Sequence, residues 1–278
     1  MAISKSDLDL IKAALAEDLA GGEDITSVAT IDSIATAKAD FTARKSGVIA
    51  GIEIAEAVLR EVGLSEISRV KADGDQVKAG DILLSVSGNT RAILLAERTA
   101  LNFFSHLSGI ATLTSAWVKE MTGTHCQVRD TRKTTPGMRV LEKYAVRMGG
   151  GTNHRMTLSD AALIKDNHIA AAGGVVAAFA KVRALYPNSE IEIEVDTLEQ
   201  LREVLPQRPD LVLLDNMSPA QCREAVAIVS GACKLEASGG ISIESAHEYA
   251  ESGVDYIAIG ALTHSAPVFD IGLDLRAE

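Results

Sequence analysis

The chain opens with an apolar repeat that predicts a helix. Leu8, Ile11 and Leu15 recur at intervals of three and four residues, a spacing that puts side chains on one face of an α-helix. Ser6 precedes the repeat as a candidate N-cap, and Gly21-Gly22 follows it as a terminator. The pattern therefore predicts one amphipathic N-terminal helix.

The next hundred residues mix short β-like runs with a longer helical pattern. Strands are predicted over Ala37–Ala43 and Val48–Ile52, and Val70–Gly88 alternates short runs with Asp-Gly and Ala-Gly turns. Hairpins of this kind also occur in biotin- and lipoyl-carrier domains, but no motif for a modified lysine is present, which favours an ordinary β-sandwich edge. Glu97–Val118 then shows helical spacing.

From about residue 125 onwards, an apolar run, a polar segment and a helix-like segment recur. The repeat, at about 20 to 30 residues in its later units, is typical of βα units in a parallel sheet. At least six units without a dinucleotide-binding glycine motif favour a barrel over an open sheet, and barrel catalytic groups follow the carboxyl ends of strands. The six runs are HCQV, ALI, IEIEV, LVLL, KLEA and YIAI.

Composition narrows the class of protein. The 278 residues are 47% hydrophobic and 23% charged, with a formal net charge of -11, which argues against a general surface for nucleic acid or anionic membranes. No apolar run approaches the roughly 18 residues of a membrane span, and the N-terminus lacks a signal-peptide pattern. Cys126, Cys222 and Cys233 form no CxxC pair. We expect a soluble cytoplasmic protein that binds neither nucleic acid nor membranes.

Basic residues concentrate in one segment against this acidic background. Arg129–His168 contains eight Lys or Arg residues and four Asp or Glu residues, interspersed with Gly, Thr and His. Arginine binds carboxylates or phosphates through two parallel hydrogen bonds, and lysine supplies a point charge. The segment indicates a pocket for a small polyanion; the alternative is a set of salt bridges around the barrel rim.

Acidic residues end the next two predicted strands. Glu194 and Asp215 stand where they could hold Mg²⁺, bind ribose hydroxyls or transfer protons, or merely neutralise the basic cluster. Glu192 alternates with Glu194, and the sequence leaves the direction of its side chain open.

Glycine-containing segments end the last two strands. Glu236–Gly240 and Ile259–Ser265 offer backbone N–H groups at the positions where barrels commonly bind phosphate. No P-loop, HExxH or GxSxG motif occurs, and the six histidines lack the spacing of zinc ligands.

The order of these motifs resembles one family. DTRKTTPG, EKYAV, GGG-x-NHRM, LIKDNH, EVD, LLDN, EASGGI and IGALTHS together resemble the quinolinate phosphoribosyltransferases, the decarboxylating nicotinate-nucleotide pyrophosphorylases. The similarity extends from ALAEDLAGGEDIT near the N-terminus to DIGLDL near the C-terminus and so covers essentially the whole chain.

The resemblance implies an α/β fold with an N-terminal α/β sandwich and a partly open, TIM-like α/β barrel. The expected domains are 1–108, to which 266–278 would return, and 109–265 for the barrel. Because family members borrow residues from a neighbouring subunit, the resemblance also implies a homodimer or a higher even oligomer, with Arg98 entering the partner's site. Phosphoribosyl transfer from phosphoribosyl pyrophosphate to quinolinate, with decarboxylation, is the implied reaction in NAD biosynthesis.

The resemblance also implies roles for individual residues. Mg²⁺ would accompany phosphoribosyl pyrophosphate near Glu194 and Asp215, directly or through water or substrate, and no organic cofactor is expected. Lys133, Lys165, Glu194 and Asp215 would be catalytic. The substrate-binding set would be Arg98, Thr131, Arg132, Lys133, His154, Arg155, Lys165, Glu194, Asp215, Ser238, Gly239, Gly240, Ile259, Gly260, Ala261 and His264.

Three residues near the site depart from the common pattern of the family. Met148, Thr157 and Ser159 replace residues that are frequent in the family near the site.

One rival interpretation is a paralogous branch associated with molybdenum-transport loci, which would use another substrate. Another is a class I aldolase-like barrel with Lys165 as a Schiff-base lysine, and a third is a non-catalytic anion binder, which would gain nothing from the paired acids.

Overall fold

The computed structural model describes residues 2–277, which group into two compact units. The first unit contains residues 2–113, 136–150 and 266–277, and the second contains residues 114–135 and 151–265. Sequence had placed the boundary at residue 108, whereas the units divide at 113. It had also placed residues 136–150 in the barrel, whereas they group with the first unit.

Helices and short strands alternate along most of residues 2–277. Up to residue 120 they are α1 (Lys5–Leu19), α2 (Ile25–Thr30), β1 (Thr36–Ala43), β2 (Gly47–Val48), α3 (Ile52–Glu61), β3 (Glu66–Arg69), β4 (Gln76–Val77), β5 (Ile82–Asn89) and α4 (Thr90–Glu120). After residue 120 they are β6 (Gln127–Arg129), α5 (Arg139–Met148), β7 (Ala162–Ile164), α6 (Asp166–Ala172), α7 (Val175–Leu185), β8 (Ile191–Val195), α8 (Leu198–Val204), a 3-10 turn (Leu205–Gln207), β9 (Leu211–Asp215), α9 (Pro219–Val229), β10 (Lys234–Ser238), α10 (Ile243–Glu251), β11 (Tyr256–Ala258), α11 (Ala261–His264) and β12 (Ile271–Ala277).

Two local predictions in the first unit need correction. Helix α1 is capped by Ser4, not Ser6, because the Ser4 side chain accepts a hydrogen bond from the Asp7 backbone and the Asp7 carboxylate accepts from the Ser4 backbone. The strand expected over Val48–Ile52 ends at Val48, because Gly51 adopts a φ of 103° and starts α3.

The first unit is built on a four-stranded antiparallel sheet. Its order is β12-β1-β5-β3, so the last strand pairs with the first. Phe41 of β1 is fully buried, and helices α1 and α3 pack in the same unit. Segment α5 joins this unit through two contacts: Tyr144 donates to Asp73 at 2.8 Å, and His106 Nε2 lies 2.8 Å from Glu142.

The second unit is a six-stranded parallel sheet in the order β6-β11-β10-β9-β8-β7. All six apolar runs recognised in the sequence form these strands. Strands β6 and β7 are the two ends of the hydrogen-bonded order among residues 2–277, which is the partly open, TIM-like arrangement that was expected.

The strands bury both faces, but one face is polar. Along β8, Ile191, Ile193 and Val195 are fully buried, while Glu192 and Glu194 alternate with them and are also buried. Because side chains alternate across a strand, the two glutamates share the opposite face from the apolar residues. The polar site described below therefore lies on the inner side of the sheet.

No single helix within residues 2–277 is both long and apolar enough to cross a membrane. Helices α6 and α7 satisfy the length and composition criteria only as a pair, and a bend of 91° separates them.

Candidate active site

A cavity of about 820 Å³ opens at the carboxyl ends of the barrel strands. Its lining includes every site residue predicted from sequence except Arg98, namely Thr131, Arg132, Lys133, His154, Arg155, Lys165, Glu194, Asp215, Ser238, Gly239, Gly240, Ile259, Gly260, Ala261 and His264. Arg98 lies exposed on α4 in the first unit. Strand ends from all parts of the parallel sheet thus converge on one space, as in other α/β barrels.

The loop after β6 is held in place from two sides. Thr131 Oγ1 accepts a hydrogen bond from the Lys133 backbone at 3.0 Å. Thr263 Oγ1, on α11, donates to the Lys133 carbonyl at 2.7 Å. The aliphatic stem of Lys133 also runs beside Gly260, where an added Cβ would lie 3.0 Å from Lys133 Cδ. The loop therefore presents Arg132 and Lys133 from a fixed backbone.

Two arginines give the cavity a strongly positive side. Burial and the neighbouring charge of Arg132 lower the pKa of Arg155. Arg155 Nη1 donates to the Ala161 carbonyl at 2.9 Å, which fixes one side of its guanidinium. Arg132 Nε is buried without a hydrogen-bond partner among residues 2–277. The two neighbouring positive charges suit an anionic ligand, which could also accept a hydrogen bond from Arg132 Nε.

An ion pair also lines the cavity. Lys165 Nζ donates to Glu194 Oε2 at 2.8 Å, and the Glu194 side chain is only 9% exposed whereas that of Lys165 is 48% exposed. Burial, followed by the charge of Glu194, raises the pKa of Asp215. Glu194 and Asp215 are therefore near enough to act on a common ligand, and two carboxylates form an oxygen donor set that Mg²⁺ accepts.

A second polar cluster, which we call the floor of the site, contains His154, Glu192, Glu236 and Arg129. Its members His154 and Glu236 line the cavity. His154 Nε2 lies 2.7 Å from Glu192 Oε2 and 3.6 Å from Glu236 Oε1. Arg129 Nη1 donates to Glu236 Oε2 at 2.9 Å. Burial raises the pKa of both Glu192 and Glu236 to about 7.

The loop after β10 requires glycine. Gly239 has a φ of 89°, and a Cβ there would collide with the Asn216 side chain and approach the Asn216 backbone nitrogen to 2.9 Å. The Asn216 backbone in turn donates to the Ser238 carbonyl at 2.8 Å. Strand ends β9 and β10 are thereby tied together, with main-chain groups brought close to the cavity.

The sequence missed part of the lining. Glu236 was recognised only as part of a strand end, although a glutamate inside the apolar run KLEA was a usable signal of an interior polar position. Asn216 also lines the site, and Asp215 accepts its side-chain amide at 2.6 Å. The remaining unpredicted lining residues are Leu163, Asp166, Leu213, Ile241 and Ala258.

Comparison with known proteins identifies the architecture. Residues 24–108 match the model of the quinolinate phosphoribosyl transferase N-terminal domain, and residues 110–274 match that of the C-terminal domain. The chain belongs to the quinolinate phosphoribosyl transferase family.

Several members of the quinolinate phosphoribosyl transferase family match this chain over nearly its full length. A nicotinate-nucleotide pyrophosphorylase (carboxylating) from Mycobacterium leprae is 51% identical over 274 residues, which are 96% of each chain. The crystal structure of NadC from Streptococcus pyogenes has a TM-score of 0.95 at 38% identity and covers 100% of this chain and 99% of the other. A nicotinate-nucleotide pyrophosphorylase from Ehrlichia chaffeensis has a TM-score of 0.94 at 40% identity, with 99% and 100% covered.

Proposed function

We propose that this chain transfers the phosphoribosyl group of phosphoribosyl pyrophosphate to quinolinate, giving nicotinate mononucleotide, pyrophosphate and CO₂ in NAD biosynthesis. The supporting observation is the cavity in which two arginines, the Lys165–Glu194 pair and the glycine loops converge. The full-length similarity to pyrophosphorylases of the same family supports the same reaction.

Quinolinate carries two adjacent ring carboxylates, and the basic side of the cavity suits both. Arg132 and Arg155 present neighbouring guanidinium groups, each able to hold a carboxylate through paired hydrogen bonds. Lys165 adds a point charge from β7. A ligand with two negative charges would relieve the repulsion between the arginines and satisfy the buried Nε of Arg132.

The acidic pair fits the ribose and its leaving group. Glu194 and Asp215 would contact ribose hydroxyls and hold Mg²⁺, directly or through water. Mg²⁺ would neutralise the charge of the departing pyrophosphate. Both carboxylates lie at the ends of neighbouring strands, β8 and β9, and the influence of Glu194 on the pKa of Asp215 supports a shared ligand.

The glycine loops suit the 5′-phosphate. Ser238–Gly240 and Ile259–Ala261 bring main chain to the cavity without obstructing side chains, and His264 lies beside Gly260. Lys133, whose stem runs beside Gly260, would add a positive charge next to this region. Phosphate at the last strand ends is a common arrangement in α/β barrels.

The reaction then needs little covalent help from the protein. The ring nitrogen of quinolinate forms a bond to the anomeric carbon as the bond to pyrophosphate breaks, and the acids near the ribose stabilise the positive charge that develops there. When the neighbouring carboxylate then departs as CO₂, its electron pair stays on the ring carbon, where the adjacent cationic nitrogen stabilises it, and that carbon takes up a proton. The main contributions of the site are orientation and charge placement.

Assembly and location extend the proposal. A homodimer or higher even oligomer would bring Arg98 of one subunit to the cavity of another; a monomer at micromolar concentration in light scattering would contradict this. Free cysteines at positions 126, 222 and 233 suit a reducing compartment such as the cytoplasm.

A label experiment tests the reaction. Quinolinate labelled with ¹³C in the carboxylate next to the ring nitrogen should release labelled CO₂ in equal amount to nicotinate mononucleotide. Label in the other carboxylate should stay in the product. Release from the wrong carboxylate, or a borohydride-stable adduct on Lys165, would contradict the proposed chemistry and favour an aldolase-like role.

A further inference from the structure

The floor of the site surrounds His154 with three ionisable side chains, Glu192, Glu236 and Arg129, to which the proposed reaction assigns no role. Glu236 is fully buried, and the side chains of Glu192 and His154 are 5% and 10% exposed. Arg129 completes the group, with its side chain 17% exposed and stacked on the Tyr256 ring at 4.0 Å. Burying charged groups is costly unless they are paired, so the arrangement calls for a physical explanation.

The hydrogen bonds at His154 assign its tautomer. The Arg155 backbone N–H donates to His154 Nδ1 at 2.7 Å, so Nδ1 carries no proton. Nε2 then carries the proton and donates to Glu192 Oε2 at 2.7 Å. The His154 backbone N–H donates to Asp130 Oδ1 at 2.9 Å, which also holds the main chain at this point. Both ring nitrogens are therefore engaged within the protein.

We propose that Glu192 and Glu236 are positioning residues for the dicarboxylate site: they fix the ring orientation of His154, whose tautomer is set by the Arg155 backbone, and His154 fixes the main chain from which Arg155 enters the cavity. Glu192 accepts the Nε2 proton, while Glu236, held by Arg129, adds a second carboxylate 3.6 Å from the same nitrogen. His154 lines the cavity, so its expected contact with the ligand stays a prediction; the present proposal adds an effect that passes through Arg155. The inference deepens the proposed function and rests on it.

A cation site is the competing interpretation of the same atoms. One ligand atom from each of His154, Glu192 and Glu236 lies within 4.8 Å of the others. Arg129, however, places a guanidinium 2.9 Å from Glu236, and its charge would repel a metal ion there. The cluster is better explained as a hydrogen-bonded support than as a metal centre.

The tautomer can be measured without catalysis. Long-range ¹H–¹⁵N spectra of protein labelled at its six histidines would identify His154 by the signal lost in His154→Ala. The expected pattern is that of the Nε2–H tautomer in the parent protein and in Glu192→Gln, whose amide oxygen still accepts. In Glu192→Met the Nε2 signal should shift, because its hydrogen-bond acceptor is gone. The exposed Glu203→Met is the matched control. An Nδ1–H or mixed pattern, or a signal unchanged in Glu192→Met, would overturn the proposal. A shift of the Nε2 signal on adding Zn²⁺ would overturn it in favour of a cation site.

Calorimetric binding of quinolinate tests the consequence for the ligand. Glu192→Met should weaken binding about tenfold, which corresponds to about 1.4 kcal/mol, while Glu192→Gln and Glu203→Met should stay within about twofold of the parent protein. His154→Ala combined with Glu192→Met should bind no more weakly than His154→Ala alone. Additive losses, or full binding by folded Glu192→Met, would contradict the proposal. If the parent protein does not bind quinolinate, the proposed function fails, whereas the tautomer experiment still decides the arrangement at His154.

Discussion

The ammonium group of Lys165 lies 2.8 Å from Oε2 of Glu194; Lys165 directly follows β7, and Glu194 lies on the neighbouring strand β8. The pair joins the basic side of the cavity, which suits the carboxylates of quinolinate, to the acidic side, which suits ribose. Because Glu194 is mostly buried, its charge depends on Lys165 for compensation. Under the proposed function, this contact would link the binding of the two substrates.

Replacing Lys165 should lower activity in a protein that still folds. Lys165→Met keeps the aliphatic stem but removes the charge, and we expect kcat/KM for quinolinate to fall at least about 100-fold, or about 2.7 kcal/mol. The unfolding temperature should also fall, because the mostly buried Glu194 carboxylate loses its partner. Steady-state kinetics and calorimetry measure both. Lys181→Met, on exposed α7 surface, is the control, and wild-type kinetics for Lys165→Met would remove this residue from the site.

Arg132 should be needed for its shape as well as its charge. Arg132→Lys retains a cation but loses the planar pair of donors, so the KM for quinolinate should rise about tenfold, and Arg132→Ala should raise it further. The KM for phosphoribosyl pyrophosphate should change less in Arg132→Lys. Initial rates with each substrate varied in turn would show this. Equal kinetics for the lysine variant and the parent protein would mean that Arg132 acts only as a point charge.

Gly239 should be required for phosphoribosyl pyrophosphate binding. Gly239→Ala puts a Cβ against the Asn216 main chain and side chain in a backbone conformation that alanine rarely adopts, so the loop must move. We expect the KM for phosphoribosyl pyrophosphate to rise at least about tenfold, with quinolinate binding nearly unchanged.

Gly231→Ala is the matched control for this loop. Its φ of 80° is similar, but an added Cβ there meets open space. It should lose stability from backbone strain of about 1 to 3 kcal/mol without any change in KM. Equal kinetic effects in the two variants would show that strain, and not the contact with Asn216, limits binding.

The free energy of unfolding should depend on pH because the pKa of the Glu236 carboxyl group is raised. Burial raises its pKa from 4.5 to about 7, so folding favours the protonated form. The resulting stabilisation is fully present below about pH 4.5 and disappears as the pH rises through 7. Relative to Glu236→Gln, which cannot ionise, the parent protein should lose up to about 3 kcal/mol between pH 5 and pH 8.

Urea unfolding of both proteins at the two pH values tests that difference. Arg129, His154 and Glu192 face Glu236 and are the same in both proteins, so their own titration largely cancels. Glu203→Gln, at an exposed position on α8, should show no such trend. A difference between Glu236→Gln and the parent that does not depend on pH would contradict the raised pKa.

The strands and the rim of the site could be predicted because they follow simple rules. Each barrel strand is a short apolar run, and parallel strands bring their carboxyl ends to one edge. Arg132, Lys165, Glu194 and Asp215 therefore met in the structure after being recognised separately in the sequence. The charge of the cluster, unusual in an acidic chain, indicated the class of ligand.

The floor of the site could not be predicted in the same way. In IEIEV, alternation places Glu192 and Glu194 on one face but does not reveal which partners they find, since Glu192 contacts His154 from a distant segment. Glu236 pairs with Arg129, 107 residues away. The sequence likewise assigns α5 to the barrel. The contacts with Asp73 and His106 that join α5 to the first unit connect residues far apart in the chain. Such tertiary pairings leave no periodic signal in the sequence.

Under the proposed function, the cavity selects a pyridine with two adjacent carboxylates for phosphoribosyl transfer. The most direct measurement is product formation by the purified protein with phosphoribosyl pyrophosphate and Mg²⁺, given either quinolinate or nicotinate. We predict nicotinate mononucleotide and CO₂ from quinolinate and no product from nicotinate. No product from quinolinate with a folded sample, or equal turnover of nicotinate, would contradict the account.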